Sequence, residues 1–233
     1  MGLGFNMEKY NKIVIIGESG SGKTELALNI ALYVRERTEK PVYFLDMDQT
    51  KSLFRSRDAA DYLRKNNIIF DVKKQFMDAP VVPNGVCTIL NNPDVYAILD
   101  VGGNRIGAVC LGQFADSLQN ANTIVLYVIN YYRCFSDTTE RIRRTMAETL
   151  SCSSFQNVKI VSNPYLGANT TANDINSGNK QLSEILKPLG MGICLTLISN
   201  KLWHQSEVEI SSNLFPITPF MSKVIDLAPK SND

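Results

Sequence analysis

Residues Gly17–Thr24 read G-E-S-G-S-G-K-T, and no other stretch restricts what the chain can fold into as tightly. The run meets every fixed letter of G-x-x-x-x-G-K-[ST], which cradles phosphate when a strand precedes it and a helix follows. Both flanks are present. Lys12-Ile13-Val14-Ile15-Ile16 is a short β-branched apolar run with the composition of a buried strand. Glu25 to Arg37 carries Leu26, Ala27, Leu28, Ile30, Ala31, Leu32 and Val34 without Gly or Pro, and reads as a helix. Within the loop, the glycines let the backbone turn so that several N–H groups, from Gly17, Glu18, Ser19, Gly20, Ser21 and Gly22, converge on one anion. A helix beginning near Lys23 adds the positive end of its dipole. Lys23 is expected on the β- and γ-phosphates and the Thr24 hydroxyl on Mg²⁺. The competing interpretation, a glycine-rich turn with an exposed lysine, is disfavoured by the flanking elements.

The remaining chain alternates in kind. Val42–Leu45 is a second apolar strand, ending on Asp46-Met47-Asp48. A basic stretch containing Arg55 and Arg57 leads into a predicted helix over Ala59–Lys65, then a short strand over Ile68–Val72. Residues Asp78–Gly85, with two prolines, read as a loop, and Val86–Leu90 fits a helix or a strand equally. Further strands are expected at Val95–Leu99, Thr123–Ile129, Val158–Val161 and Ile193–Ile198. Helices are expected at Ile106–Leu118, Thr138–Leu150 and Lys180–Leu189, and a polar loop at Gly167–Gly178. Continuous apolar strands alternating with helices predict a three-layer α/β/α fold with a mostly parallel central sheet. Its 233 residues suit a single domain, with residues 1–8 as a flexible lead-in.

Ligands of such sheets sit beyond the carboxyl ends of the strands. Gly17, Asp46, Asp48, Asp100, Asn130 and Asn163 all fall there in this reading. Asp100 closes an apolar strand and precedes Val101-Gly102-Gly103, the arrangement of a carboxylate held rigidly near Mg²⁺, with Gly103 free to bring a backbone N–H toward a γ-phosphate. Asp46 and Asp48 are the other acidic candidates, one to orient metal-bound water and one to position an attacking water. A helix cap for Asp100 and a solvated turn for the pair are the plainer alternatives.

With 24 Lys+Arg against 23 Asp+Glu, the net charge of +1 creates no global field for nucleic acid or anionic lipid. No apolar run approaches a membrane span, and no secretory signal is expected. Five cysteines, an odd count without C-x-x-C, suit reduced thiols in a cytoplasmic protein.

The order GESGSGKT, then D-M-D after the second strand, D-V-G-G, and an Asn closing a late strand resembles the ParA/MinD/CobQ-like group of P-loop proteins. That group also contains the nitrogenase iron protein and metal-centre maturation ATPases. The resemblance implies Lys23 and Thr24 on phosphate and Mg²⁺, Asp46 near Mg²⁺, Asp48 beside the attacking water, Asp100 as a switch aspartate and Asn163 against the base. It also implies a homodimer, but one residue departs from it. Members carry a signature lysine at the second loop position that reaches the partner's phosphate, and here that position is Glu18. Arg55 or Arg57 could supply the charge instead, or be solvated surface arginines. Cys110, with Cys87, invites comparison with the iron protein's cluster ligands, but its helical spacing with Ile106, Val109 and Phe114 fits a buried thiol better. His204, the lone histidine, has no ligand partners in the sequence.

Three functions stay open on this reading. The first is an ATP- and Mg²⁺-dependent switch that hydrolyses slowly and acts on an unidentified protein partner. The second is a small-molecule kinase or ligase using the γ-phosphate. The third is a nucleotide-stabilised binding module with little turnover. ATP is favoured over GTP because no N-K-x-D motif occurs, and nucleic acid is not expected as a partner.

Overall fold

In a computed structural model, described over residues 7–47, 60–70, 85–103, 105–134, 136–150, 155, 158–203, 208–210 and 212–220, the apolar runs become strands. These are β1 (Lys12–Gly17), β2 (Val42–Asp46), β3 (Tyr96–Asp100), β4 (Thr123–Ile129), β5 (Val158–Ser162), β6 (Ile193–Ser199) and β7 (Asn213–Ile217). All pair in parallel, in the order β2-β3-β1-β4-β5-β6-β7. Parallel pairing puts every carboxyl end on one edge of the sheet, and β1 lies between β3 and β4, so that edge surrounds its end.

Alternate residues of each strand feed opposite faces. Ile13 and Ile15 join Ile124, Leu126, Val128, Leu195 and Leu197 on one face, beneath helix α1 (Lys23–Arg35) and Leu63 of a helical segment over 60–65. Val14 and Ile16 join Val125, Tyr127 and Ile129 on the other. That second face is covered by α2 (Val86–Asn91), α3 (Arg105–Gln113), α4 (Ala115–Leu118), α5 (Thr139–Leu150) and α6 (Ala172–Leu186). A short α7 (Asn200–Trp203) packs Leu202 on Ile175 and Ile198. Two apolar faces, both covered, explain why the strands lack polar alternation. The fold is the three-layer α/β arrangement expected from the sequence.

Several local expectations need correction. Residues 172–178 are not loop but the start of α6. Thr171 is an extended N-cap whose hydroxyl accepts from Asp174 N at 3.2 Å, while the Asp174 carboxylate accepts from Thr171 N at 2.8 Å. This reciprocal cap lets a polar sequence begin a helix. The single helix expected over 106–118 is broken at Phe114, which is buried between α3 and α4 with non-helical backbone. The segment after residue 67 adds one bridge, Ile69 beside Tyr43, rather than a full strand within the described residues. Val86–Leu90, open in the sequence, lies in a helix. A seventh strand, β7, goes beyond the last one expected. It pairs only with β6 among the described residues and accommodates Pro216, which a sheet edge tolerates.

Candidate functional site

The loop after β1 follows from strand, turn and helix in succession. Gly22 caps α1 in the left-handed region, φ 100°, with no side-chain cap hydrogen bond. A side chain there would also overlap the Asn163 carboxamide, so glycine is required twice over. Lys23 opens α1 and is 6% exposed, its ammonium donating to the Glu18 carbonyl at 2.8 Å. The charge is thus folded into the concave side of the loop. Ser21 is 1% exposed, and its Oγ has no protein partner among the described residues.

Neighbouring strands complete the surroundings. Asp100, fully buried at the end of β3, accepts the Thr24 hydroxyl hydrogen at 2.7 Å. Asp46 is its register partner at the end of β2, so two carboxylates lie side by side on adjacent strand ends. Gly103 is pressed against the loop. A methyl group built on it would overlap Gly17 O and lie 2.9 Å from Glu18 C and 3.0 Å from Ser19 N. From β5, buried Asn163 donates its amide to Ser21 O at 2.7 Å, so one of its hydrogens serves the loop backbone itself. Glu18 is half-buried. Burial pushes the Tyr127 hydroxyl up to about 12, and the Glu18 charge contributes in the same direction, which puts that carboxylate within electrostatic reach of the face carrying α5.

Of the residues expected from the sequence, Gly17–Thr24, Asp46, Asp100, Gly103 and Asn163 therefore converge on one locus. Asp48, Arg55, Arg57 and His204 lie outside the described residues, as does the side chain of Cys110. Cys87 and Cys134 are exposed. Asn130 does not face the loop. It is buried as a brace, donating to Tyr165 O at 2.8 Å and accepting from Tyr132 N at 3.0 Å. One residue had no role in the sequence reading. Arg133, in the turn after β4, lies over the loop, with Nε 3.7 Å and Cζ 3.9 Å from a methyl group built on Gly20. Only the order of strands brings it there.

The fold has counterparts among solved structures. A signal recognition particle receptor FtsY from Elizabethkingia anophelis superposes with TM-score 0.52 at 12% identity, covering 87% of this chain and 62% of that one. Cell division protein ftsY from Thermotoga maritima superposes with TM-score 0.52 at 15% identity, covering 95% and 71%. The chain has a P-loop NTPase fold. A ParA family ATPase from Chlorobium tepidum TLS aligns at TM-score 0.42 and 15% identity over 95% of this chain and 93% of that one, and the fold assignment rests on the two FtsY chains. This chain spans less than two thirds of the first of them. No protein-family model and no curated protein matches the sequence.

The donor set fits Mg²⁺. Thr24 and Asp100 offer hard oxygens already in contact, Asp46 stands beside them, and Mg²⁺ commonly takes one or two protein oxygens with phosphate and water completing its shell. Among the described residues, no group of three or more His, Cys, Asp or Glu forms a dedicated metal cage. No described helix is long and apolar enough to cross a membrane. Helix α5, which reads as basic, has its arginines paired: Arg141 with Asp137 at 2.6 Å, Arg143 with Glu140 at 2.7 Å and Arg144 with Glu148 at 4.0 Å.

Proposed function

We propose that this protein binds ATP with Mg²⁺ at residues 17–24, hydrolyses it slowly, and passes the change of state to a protein partner. The observation that carries the reading is the 2.7 Å bond between the Thr24 hydroxyl and the buried Asp100 carboxylate. It joins the last letter of the phosphate motif to a strand-end acid 76 residues away. In this reading the loop N–H groups and Lys23 hold the phosphates, and Thr24, Asp100 and Asp46 hold the metal. Bound Mg²⁺ would neutralise charge developing on the phosphate oxygens. Asp48 orients the attacking water, Gly103 brings its N–H close to the phosphate end, and Asn163 keeps the loop in shape beside the nucleotide.

Glu18 favours a second reading. A carboxylate in the second loop position adds no positive charge for a transition state, which suits a nucleotide-stabilised binding module with little turnover. The two readings predict the same binding and different hydrolysis.

Calorimetric titration of wild type and Lys23→Ala with ATP·Mg²⁺ tests the shared core. Losing a charge-assisted hydrogen bond costs about 1.5–3 kcal/mol, within the margin of an ordinary fold, so the variant should stay folded and lose binding. Equal affinity in the two proteins would refute the site. Single-turnover hydrolysis of ATP, wild type against Asp48→Asn, then separates switch from silent module.

A further inference from the structure

Arg133 is exposed, stands at the mouth of the loop, and makes no ion pair among the described residues. The arginines of α5, by contrast, are each paired with a carboxylate. Its position is held by construction rather than chance. β4 runs beside β1 in register, Val128 opposite Gly17, so the chain leaving β4 must pass over the loop. The turn is closed by Arg133 N donating to Asn130 O at 3.0 Å, and by Ser136 N donating to Arg133 O at 3.0 Å. Tyr132, immediately before it, is tied to α6 through its hydroxyl, which donates to Asp174 O at 2.6 Å. The backbone under Arg133 is thus anchored on both sides, while its guanidinium lies beside Gly20, which has no side chain to keep it away.

We propose that Arg133 is a phosphate-contacting residue that supplies, from within the same chain, the positive charge that Glu18 does not. It rests on the reading of residues 17–24 as a nucleotide site and adds the group that distinguishes triphosphate from diphosphate. Lys23 donates to Glu18 O within the loop. Arg133 stands at a different point of the loop, against Gly20, and is exposed. A guanidinium there presents a planar fork of donors suited to two phosphate oxygens, and it offsets the Glu18 carboxylate that the same loop carries. The site then needs no charge from a second subunit.

The test compares wild type, Lys23→Ala, Arg133→Ala and Arg133→Lys, using a fluorescent ADP and a non-hydrolysable ATP analogue with Mg²⁺, together with single-turnover ATP hydrolysis. The expected result is that Arg133→Ala binds ADP within about twofold of wild type, binds the triphosphate analogue about tenfold more weakly, and hydrolyses at least about a hundredfold more slowly. Arg133→Lys should recover part of the triphosphate affinity and little of the rate, because an ammonium restores charge without the fork. A purely structural arginine would weaken both nucleotides alike, and that outcome overturns the proposal. So does unchanged triphosphate binding and turnover in Arg133→Ala beside a Lys23→Ala protein that has lost nucleotide. A wild type that binds neither nucleotide defeats the underlying site assignment, and this proposal with it.

Discussion

Gly103→Ala examines whether the chain after β3 and the phosphate loop behave as one body. A Cβ at this position overlaps Gly17 O and comes to 2.9 Å from Glu18 C and 3.0 Å from Ser19 N. All three are backbone atoms, so no side chain can rotate away and one segment must shift. Forcing an extra methyl into such a contact costs about 1–3 kcal/mol. If the shift distorts the loop that holds phosphate, the cost falls on the nucleotide complex, and about 1.4 kcal/mol per tenfold makes binding about 5- to 150-fold weaker. The protein itself should remain folded, since this cost is below the usual total stability. Calorimetric titration with ATP·Mg²⁺ measures the affinity, and thermal unfolding of the free protein measures the remainder. Gly192→Ala is the control, because nothing lies within 4 Å of a Cβ there. If Gly103→Ala binds nucleotide within twofold of wild type, the contact does not govern the loop and the reasoning fails.

Asn163→Ala removes the donor to Ser21 O and leaves a buried carbonyl unsatisfied, which costs about 1–3 kcal/mol and should lower both thermal stability and nucleotide affinity. Asn163→Asp, which sets acceptor against acceptor, should be worse in the same two assays. Thr171→Ala removes the α6 cap at about 1 kcal/mol, a melting shift of about 2–4 °C for a chain of this size, with nucleotide affinity unchanged. The Thr171 N–H and hydroxyl hold the Asp174 carboxyl below its ordinary value. That stabilisation is complete above the unfolded carboxylate range and is lost as pH falls through the lowered value, so acid melts should show a smaller pH dependence in Thr171→Ala.

The phosphate loop and most of the sheet were legible because their signals are local. A glycine pattern, a β-branched run and an amphipathic helix each express themselves within about ten residues. Asp100 could be placed for the same reason, as the last letter of an apolar strand. The start of α6 was missed because its signal is weak in composition: Thr171-Ala172-Asn173-Asp174 is polar, and only the reciprocal cap turns it into a helix start. The spacing T-x-x-D held that information, with Asp in place of the more usual Glu. Arg133 was out of reach for a different reason. Its relation to Gly20 depends on β4 lying next to β1, a fact of strand order that no window of sequence contains. Asn163 was placed at the right edge, but its bond to Ser21 O spans 142 residues and became visible only with the fold.

The loop is gripped from three strands, and the grip suggests where a change at the phosphates would travel. β5 holds it through Asn163, β4 through the register of Val128 with Gly17, and β3 through Asp100 and Gly103. The first is a buried side-chain bond to the loop backbone and the second is strand pairing within the sheet. The third combines the Asp100 hydrogen bond with the backbone contact of Gly103 just beyond the strand. Gly102, next to Gly103, is packed just as closely on Gly107 of α3, where a Cβ would overlap the Gly102 carbonyl and lie 2.8 Å from its carbon. Close-packed backbone has no soft side chain to absorb a displacement. A shift of Gly103 against the loop must therefore be taken up by α3, whose Val109 is 48% exposed on the outer surface. This backbone-to-backbone connection joins the phosphate loop to the exposed face of α3, and a partner reading the nucleotide state is expected to bear on α3.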